Sequence, residues 1–133
     1  MTSIPAYAVA YLRNVDVCDD IIRYMREIDS TLAPFDGEFI IHGGDMRVLE
    51  GDGLKGDGLK GDVPDGALVV IRFPDMESAS GWYDSQAYRR ILPWRVEHAD
   101  SVTALVPGVA PGHTGEKRAA ELLAEKASTT NVT

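Results

Sequence analysis

Ala67-Leu68-Val69-Val70-Ile71-Arg72-Phe73-Pro74-Asp75 is the stretch on which the fold turns. Apart from Arg72, its first seven residues are all apolar, and a proline stops them. A short apolar run of this kind reads as a strand covered on both faces, near the centre of a sheet. Asp75 then caps a helix that offers Met76, Ala79, Trp82 and Tyr83 for packing. Gly81 weakens that helix by about 1 kcal/mol relative to alanine. Ser85 caps a further helical segment from Gln86 to about Ala99, which Pro93 is expected to break or kink.

Working upstream, Tyr7 to Leu12 reads as a strand with Tyr7, Val9 and Tyr11 on one face and Ala8, Ala10 and Leu12 on the other. Asp19 or Asp20 caps the helix that follows, where Ile21, Ile22, Met25, Ile28 and Leu32 recur at helical spacing. Pro34 and Gly37 close it. Glu38 to His42 forms a second strand ending at Gly43-Gly44, and Met46 to Glu50 a further short extended piece. Downstream, Ser101 to Val106 forms the last strand, ended by Pro107-Gly108.

The resulting order, β-α-β-β-α-β, is the ferredoxin-like arrangement of an α+β fold. Its four-stranded antiparallel sheet carries helices on one face and leaves the other apolar and open. Pairing two such faces covers them, so a homodimer built as a dimeric α+β barrel is expected. Residues 1–109 form this domain, and residues 110–133 a tail that is partly helical or disordered. Gly51-Asp52-Gly53-Leu54-Lys55 is repeated at once as Gly56 to Lys60 and followed by Gly61-Asp62. This glycine-rich loop, 51–62, is expected to form a mobile or hairpin-like extension, and it lacks the calcium-loop pattern with a terminal glutamate.

A formal charge of −8 and a pI near 4.7 oppose a nucleic-acid partner, because phosphate recognition needs clustered lysine and arginine. Cys18 is the only cysteine and forms no internal disulfide. No run reaches membrane-spanning length and no signal segment opens the chain, so a cytoplasmic protein without a membrane partner is expected. No phosphate-binding or dinucleotide fingerprint is present, and the three histidines lack zinc-ligand spacing; neither cofactor nor metal is expected.

Val70 to Asp75, then Ala79, Trp82-Tyr83-Asp84-Ser85, Tyr88 and Arg95, resemble the signature of the DUF1330 family. Gly37, Gly43-Gly44 and Val48 to Gly51 fit the same pattern, so the resemblance runs from about Tyr7 to Val106. Asp75 stands where that family commonly has serine, and the tandem repeat and the long tail lie outside its pattern. The resemblance implies a dimeric α+β barrel with a small-molecule cleft, without defining a reaction. Barrels of this superfamily include cofactor-independent catalysts, some of them in specialised metabolism.

The residues suggest where chemistry would sit. His42, at a strand end beside two glycines, has an imidazole suited to acid or base work; the alternative is a polar strand end. Arg72 inside an apolar strand requires a partner, either Asp45 or Glu50 or an anionic oxygen of a ligand. Tyr83 and Tyr88 offer phenols to a carbonyl or enol, Trp82 can wall a pocket, and Tyr11 shares the ambiguity between packing and binding. Among Arg89, Arg90 and Arg95, one can hold an anionic oxygen, and surface ion pairs with Glu97 or Asp84 are the alternative. The expected function is an isomerase, cyclase or lyase acting on a small molecule, with His42, Tyr83 and Tyr88 catalytic and Tyr11, Arg72, Trp82 and Arg95 binding. The alternative is a non-catalytic binding or structural dimer.

Overall fold

The structure, a computed structural model, describes residues 4–51 and 66–130, with the backbone alone at 129 and 130. The strands are β1 (Ala6–Arg13), β2 (Glu38–His42), β3 (Gly66–Phe73) and β4 (Asp100–Pro107). Helix α1 (Asp19–Leu32) follows β1; α2 (Met76–Asp84) and α3 (Gln86–Val96) lie between β3 and β4; and α4 (Gly115–Thr130) ends the chain. The sheet is antiparallel in the order β2-β3-β1-β4, which places the apolar β3 at an interior position. Its fold is α+β, as the strand and helix order predicts.

Alternation along β1 divides the sheet into two faces. Ala6 and Ala8 turn toward the helices beside Ile71 and Phe73, where they meet Ile28, Leu32, Ala79, Trp82, Tyr88 and Ile91 in one core. Phe73, Tyr88 and Ile91 are at most 1% exposed; fully burying a large apolar side chain is worth roughly 1.5–3 kcal/mol. Trp82 donates from Nε1 to Thr31 Oγ1 at 3.0 Å, and Thr31 donates to the Ile28 carbonyl, so the core's indole and hydroxyl are satisfied. On the opposite face Tyr7, Val9 and Tyr11 stand across from Arg72, Val70 and Leu68 of β3 and Val106, Ala104 and Val102 of β4. Among the described residues no helix covers this face, and Val102 is 74% exposed.

Several local expectations need correction. Cys18, not Asp19 or Asp20, occupies the cap position of α1, and its side chain makes no capping bond. The two aspartates instead sit in the first turn, where their charge suits the positive end of the helix dipole. The left-handed residue that closes the following 3-10 turn is Asp36 (φ 56°), while Gly37 serves close packing: a Cβ there would lie 2.7 Å from the Phe73 ring. Pro93 does not break α3: the helix runs through it to Val96, and the Pro93 carbonyl accepts from Glu97 N at 3.0 Å. Met46 to Glu50 joins no strand. The repeat 51–62 lies outside the described residues except for Gly51.

Asp75 and Ser85 are the caps their positions predict. Asp75 Oδ1 accepts from Ser78 N at 2.7 Å and Ser85 Oγ from Tyr88 N at 3.3 Å. The Ser85 cap starts α3 at an angle that delivers Tyr88, Ile91 and Arg95 to the core side. α4 is exposed over its described side chains. No helix among the described residues is long and apolar enough to cross a membrane.

Candidate active site

A cavity of about 400 Å³ lies between the sheet, α1 and the C-terminal part of α3. Leu12, Val69 and Ala67 form its floor, Ile21, Tyr24 and Met25 its helical wall, and His42-Gly43, Val15 and Ala99 its mouth. Behind it lies a chamber of about 40 Å³ backed by Ala8, Phe39, Trp82 and Tyr88. The two spaces share Leu12, Tyr24, Val69 and Arg95 as common walls. Almost all of this lining is apolar, so its few polar groups decide what it can bind.

Those polar groups converge. Tyr24 and Tyr88 bring their hydroxyl oxygens to 2.7 Å, with the rings edge to face at 6.1 Å. Arg95, only 5% exposed, lies with its guanidinium 5.9 Å from the Tyr24 ring centre. Its Nη1 donates to Ser101 Oγ at 2.6 Å, and among the described residues it forms no ion pair. A buried guanidinium without a carboxylate is an unusual expense, since removal of a charge from water is costly unless it is neutralised. Burial by itself would depress the Arg95 guanidinium, and the neighbouring Tyr88 and Tyr24 phenols more than offset it, holding it above its ordinary value. Burial, and then Tyr88 beside it, push the Tyr24 phenol far above its usual range, so Tyr24 remains a protonated donor.

His42 reaches the cavity through an irregularity in β2. Glu38 pairs with Arg72 and Phe39 with Ile71, but Ile41 pairs with Val70 and His42 with Val69, leaving Ile40 as an extra residue. A regular strand would have set His42 opposite Leu68 on the open face; the bulge returns it to the helix side. The His42 ring stacks on Phe39 at 4.1 Å and 4°. Gly43 and Gly44 follow with φ of 72° and 88°, a backbone turn that suits glycine, and Gly43 N bonds Leu68 O at 2.9 Å.

The remaining candidates separate. Trp82 and Tyr88 line the inner chamber and Arg95 both spaces, whereas Tyr83 packs on Trp82 and Tyr88 from outside them, under the Arg89 guanidinium. Tyr11 and Arg72 belong to the open sheet face. Arg72 is not buried, and its partner is neither Asp45 nor Glu50 but Glu38, at 3.8 Å across the strand pair. Its neighbours are apolar because the strand's other face is in the core, while its own face meets water in the single chain. Arg89 and Arg90 pair with Asp84 and Glu27.

Tyr24 went unrecognised in the sequence. The buried stripe of α1 is Ile21, Ile28, Thr31 and Leu32 with Tyr24 partly buried among them, while Ile22 and Met25 are 38% and 45% exposed. Its spacing, three after Ile21 and four before Ile28, is the available signal. Behind the mouth, His98 Nε2 meets Asp20 Oδ2 at 3.2 Å, and Asp16 N bonds His98 O at 2.8 Å, tying the start of α1 to the end of α3. Asp16, Cys18 and His98, and likewise Asp20, Glu97 and His98, have ligand-type atoms within 4.8 Å of one another. The fold thus assembles donors that are far apart in sequence, although Asp16 and Glu97 are exposed.

The four-stranded antiparallel sheet in the order β2-β3-β1-β4, with helices on one face, has the fold seen in dimeric ferredoxin-like proteins. The chain belongs to the DUF1330 family, a domain of unknown function, which matches residues 5–109. Among solved structures it is similar to a protein of unknown function from Rhodopseudomonas palustris, with 15% identity over 82% of this chain and 85% of that one and a TM-score of 0.56. A dimeric ferredoxin-like protein of unknown function from Thermobifida fusca gives 15% identity, coverage of 80% and 93%, and a TM-score of 0.50. A cofactor-independent oxygenase from Streptomyces nogalater gives 10% identity, coverage of 85% and 98%, and a TM-score of 0.51. At these identities the likeness is one of fold. No curated protein matches the chain in sequence.

Proposed function

We propose that the chain is a cofactor-independent enzyme that moves a proton on a small, largely apolar, oxygenated molecule, in an isomerisation, cyclisation or elimination. The observation that carries this reading is Arg95, a buried cation with no ion-pair partner among the described residues, set in the wall of an apolar cavity beside two phenols. Such a group stabilises negative charge developing on a substrate oxygen, in a site where water does not compete. Tyr24 or Tyr88 donates a hydrogen bond to that oxygen. His42, across the cavity mouth, takes the proton from one atom of the substrate and returns it to another. Trp82 backs the inner wall. Tyr83 supports Tyr88 from outside and touches no substrate in this scheme.

A homodimer formed through the open sheet face is part of this reading, with Tyr11 and Arg72 at the interface rather than in the cavity. The fold of the Streptomyces nogalater oxygenase is compatible with catalysis that uses no cofactor, and the reaction class follows from the polar groups of the cavity. The exposed position of His42 favours a second reading, in which the cavity binds its molecule without turning it over.

Candidate substrates from a neighbouring biosynthetic cluster, incubated with wild type and variants, test the proposal. His42→Ala is expected to lower kcat by about 10²-fold or more, the usual contribution of a general acid or base. Tyr88→Phe is expected to lower it less, because Tyr24 keeps a hydroxyl in place. Unchanged turnover in both variants removes the assignment, and binding without turnover in wild type favours the second reading.

A further inference from the structure

We propose that the cavity selects planar weak acids, phenols or enols, and holds them as conjugate bases with a single anionic oxygen against Arg95, Tyr24 and Tyr88. This rests on the cavity being the substrate site and names the class of molecule it takes.

The recognition is built for one oxygen. A carboxylate is best held by the two parallel N–H groups of a guanidinium fork. At Arg95, Nη1 is committed to Ser101 Oγ at 2.6 Å, which removes the end-on Nη1–Nη2 pair, and the Tyr88 and Tyr24 hydroxyls lie against the remaining N–H groups. One phenol proton is likewise spent between Tyr24 and Tyr88, leaving a single hydroxyl to donate. One guanidinium edge and one hydroxyl suit a phenolate or enolate oxygen.

The surroundings favour an acid that arrives neutral. Asp16 adjoins Val15 at the mouth, Asp20 precedes Ile21 of the helical wall, and the chain carries −8 overall. A permanent anion meets that field throughout its approach, whereas a neutral acid ionises only beside Arg95. In that step the ligand O–H bond breaks, the electron pair stays on oxygen, and the proton passes to the His42 imidazole or to water. Phe39 lines the inner chamber and His42 the outer cavity, and their rings stack at 4.1 Å and 4°, so an aromatic pair runs from one space to the other and suits an aromatic ligand.

p-Nitrophenol, whose phenolate is coloured, reads this directly when titrated with the full chain. Its half-ionisation is expected to fall by at least one pH unit when bound, about a tenfold preference for the anion. 4-Nitroanisole, which cannot ionise, and 4-nitrobenzoate are expected to bind at least tenfold more weakly. Arg95→Met should abolish the shift and Arg95→Lys restore part of it, while Ser101→Ala, by releasing the guanidinium edge, should strengthen 4-nitrobenzoate. Tighter binding of 4-nitrobenzoate by wild type, lost in Arg95→Met, would overturn the substrate class and leave the cavity as the site. Binding of neither compound, or binding indifferent to both Arg95 variants, would remove the site as well.

Discussion

Arg95 and Tyr24 show how one residue's surroundings set its chemistry. Arg89 and Arg90 lie six and five residues earlier on α3 and pair with surface carboxylates; Arg95 faces inward, and among the described residues the polar partners of its guanidinium are hydroxyls. Tyr24 has the complementary condition, a phenol that burial keeps protonated. Its folded pKa lies above the unfolded value of 10.0, so its contribution to stability is complete below that pH and is lost as pH rises past it. Chemical denaturation of wild type is therefore expected to show stability falling above about pH 10, with a shallower fall in Tyr24→Phe. An equal slope in the two would show that the Tyr24 hydroxyl is open to water. The sequence pointed to Arg95 and Tyr88 through their motif, but passed over Tyr24 because Ile22 and Met25, apolar and adjacent, suggest a helical stripe one residue out of phase.

At the scale of elements, β2 carries the argument. Strict alternation would give His42 the face of Glu38, and no residue in Glu38 to His42 announces a bulge. The irregularity is visible only in the pairing with β3, a relation between segments that the sequence alone does not contain. β3 was legible because its apolar run needs no partner to be recognised, and the Asp75 and Ser85 caps because their bonds are local. The cavity was not legible, since β1, α1, β2, β3 and α3 all contribute to its outer part. The bulge predicts an asymmetry. Removing Ile40 leaves Phe39, Ile41 and His42 opposite the same residues of β3, so His42 resonances should still shift when p-nitrophenol is added. Inserting one alanine between Ile41 and His42 moves the imidazole to the open face and should abolish that shift. A shift in both chains would detach His42 from the register of β2.

For the whole molecule, the open face is the dominant unsatisfied feature. Val102, Val106 and Ile41 are exposed on a sheet whose other side is a closed core, and the structural relatives include proteins described as dimeric. A second copy packed there would cover apolar surface that the single chain leaves to water. Val102→Asp, which sets a charge opposite Tyr11, is expected to shift the chain from dimer to monomer in size-exclusion light scattering at micromolar concentration. A dimer that persists in this variant would place the contact elsewhere.

The strand order also governs when the protein can form as it leaves the ribosome. Among the described residues β1 pairs only with β3 and β4, and β2 only with β3, so neither early strand has one of these partners until Gly66–Phe73 has been made. Helix α1 meets its main neighbour, α3, later still. The N-terminal half therefore waits, with its apolar residues uncovered, while the later strands are synthesised, and long-range pairing of this kind slows folding. The cleft takes shape near the end of synthesis, when Arg95 and Ser101 arrive to close around a tyrosine made some seventy residues earlier.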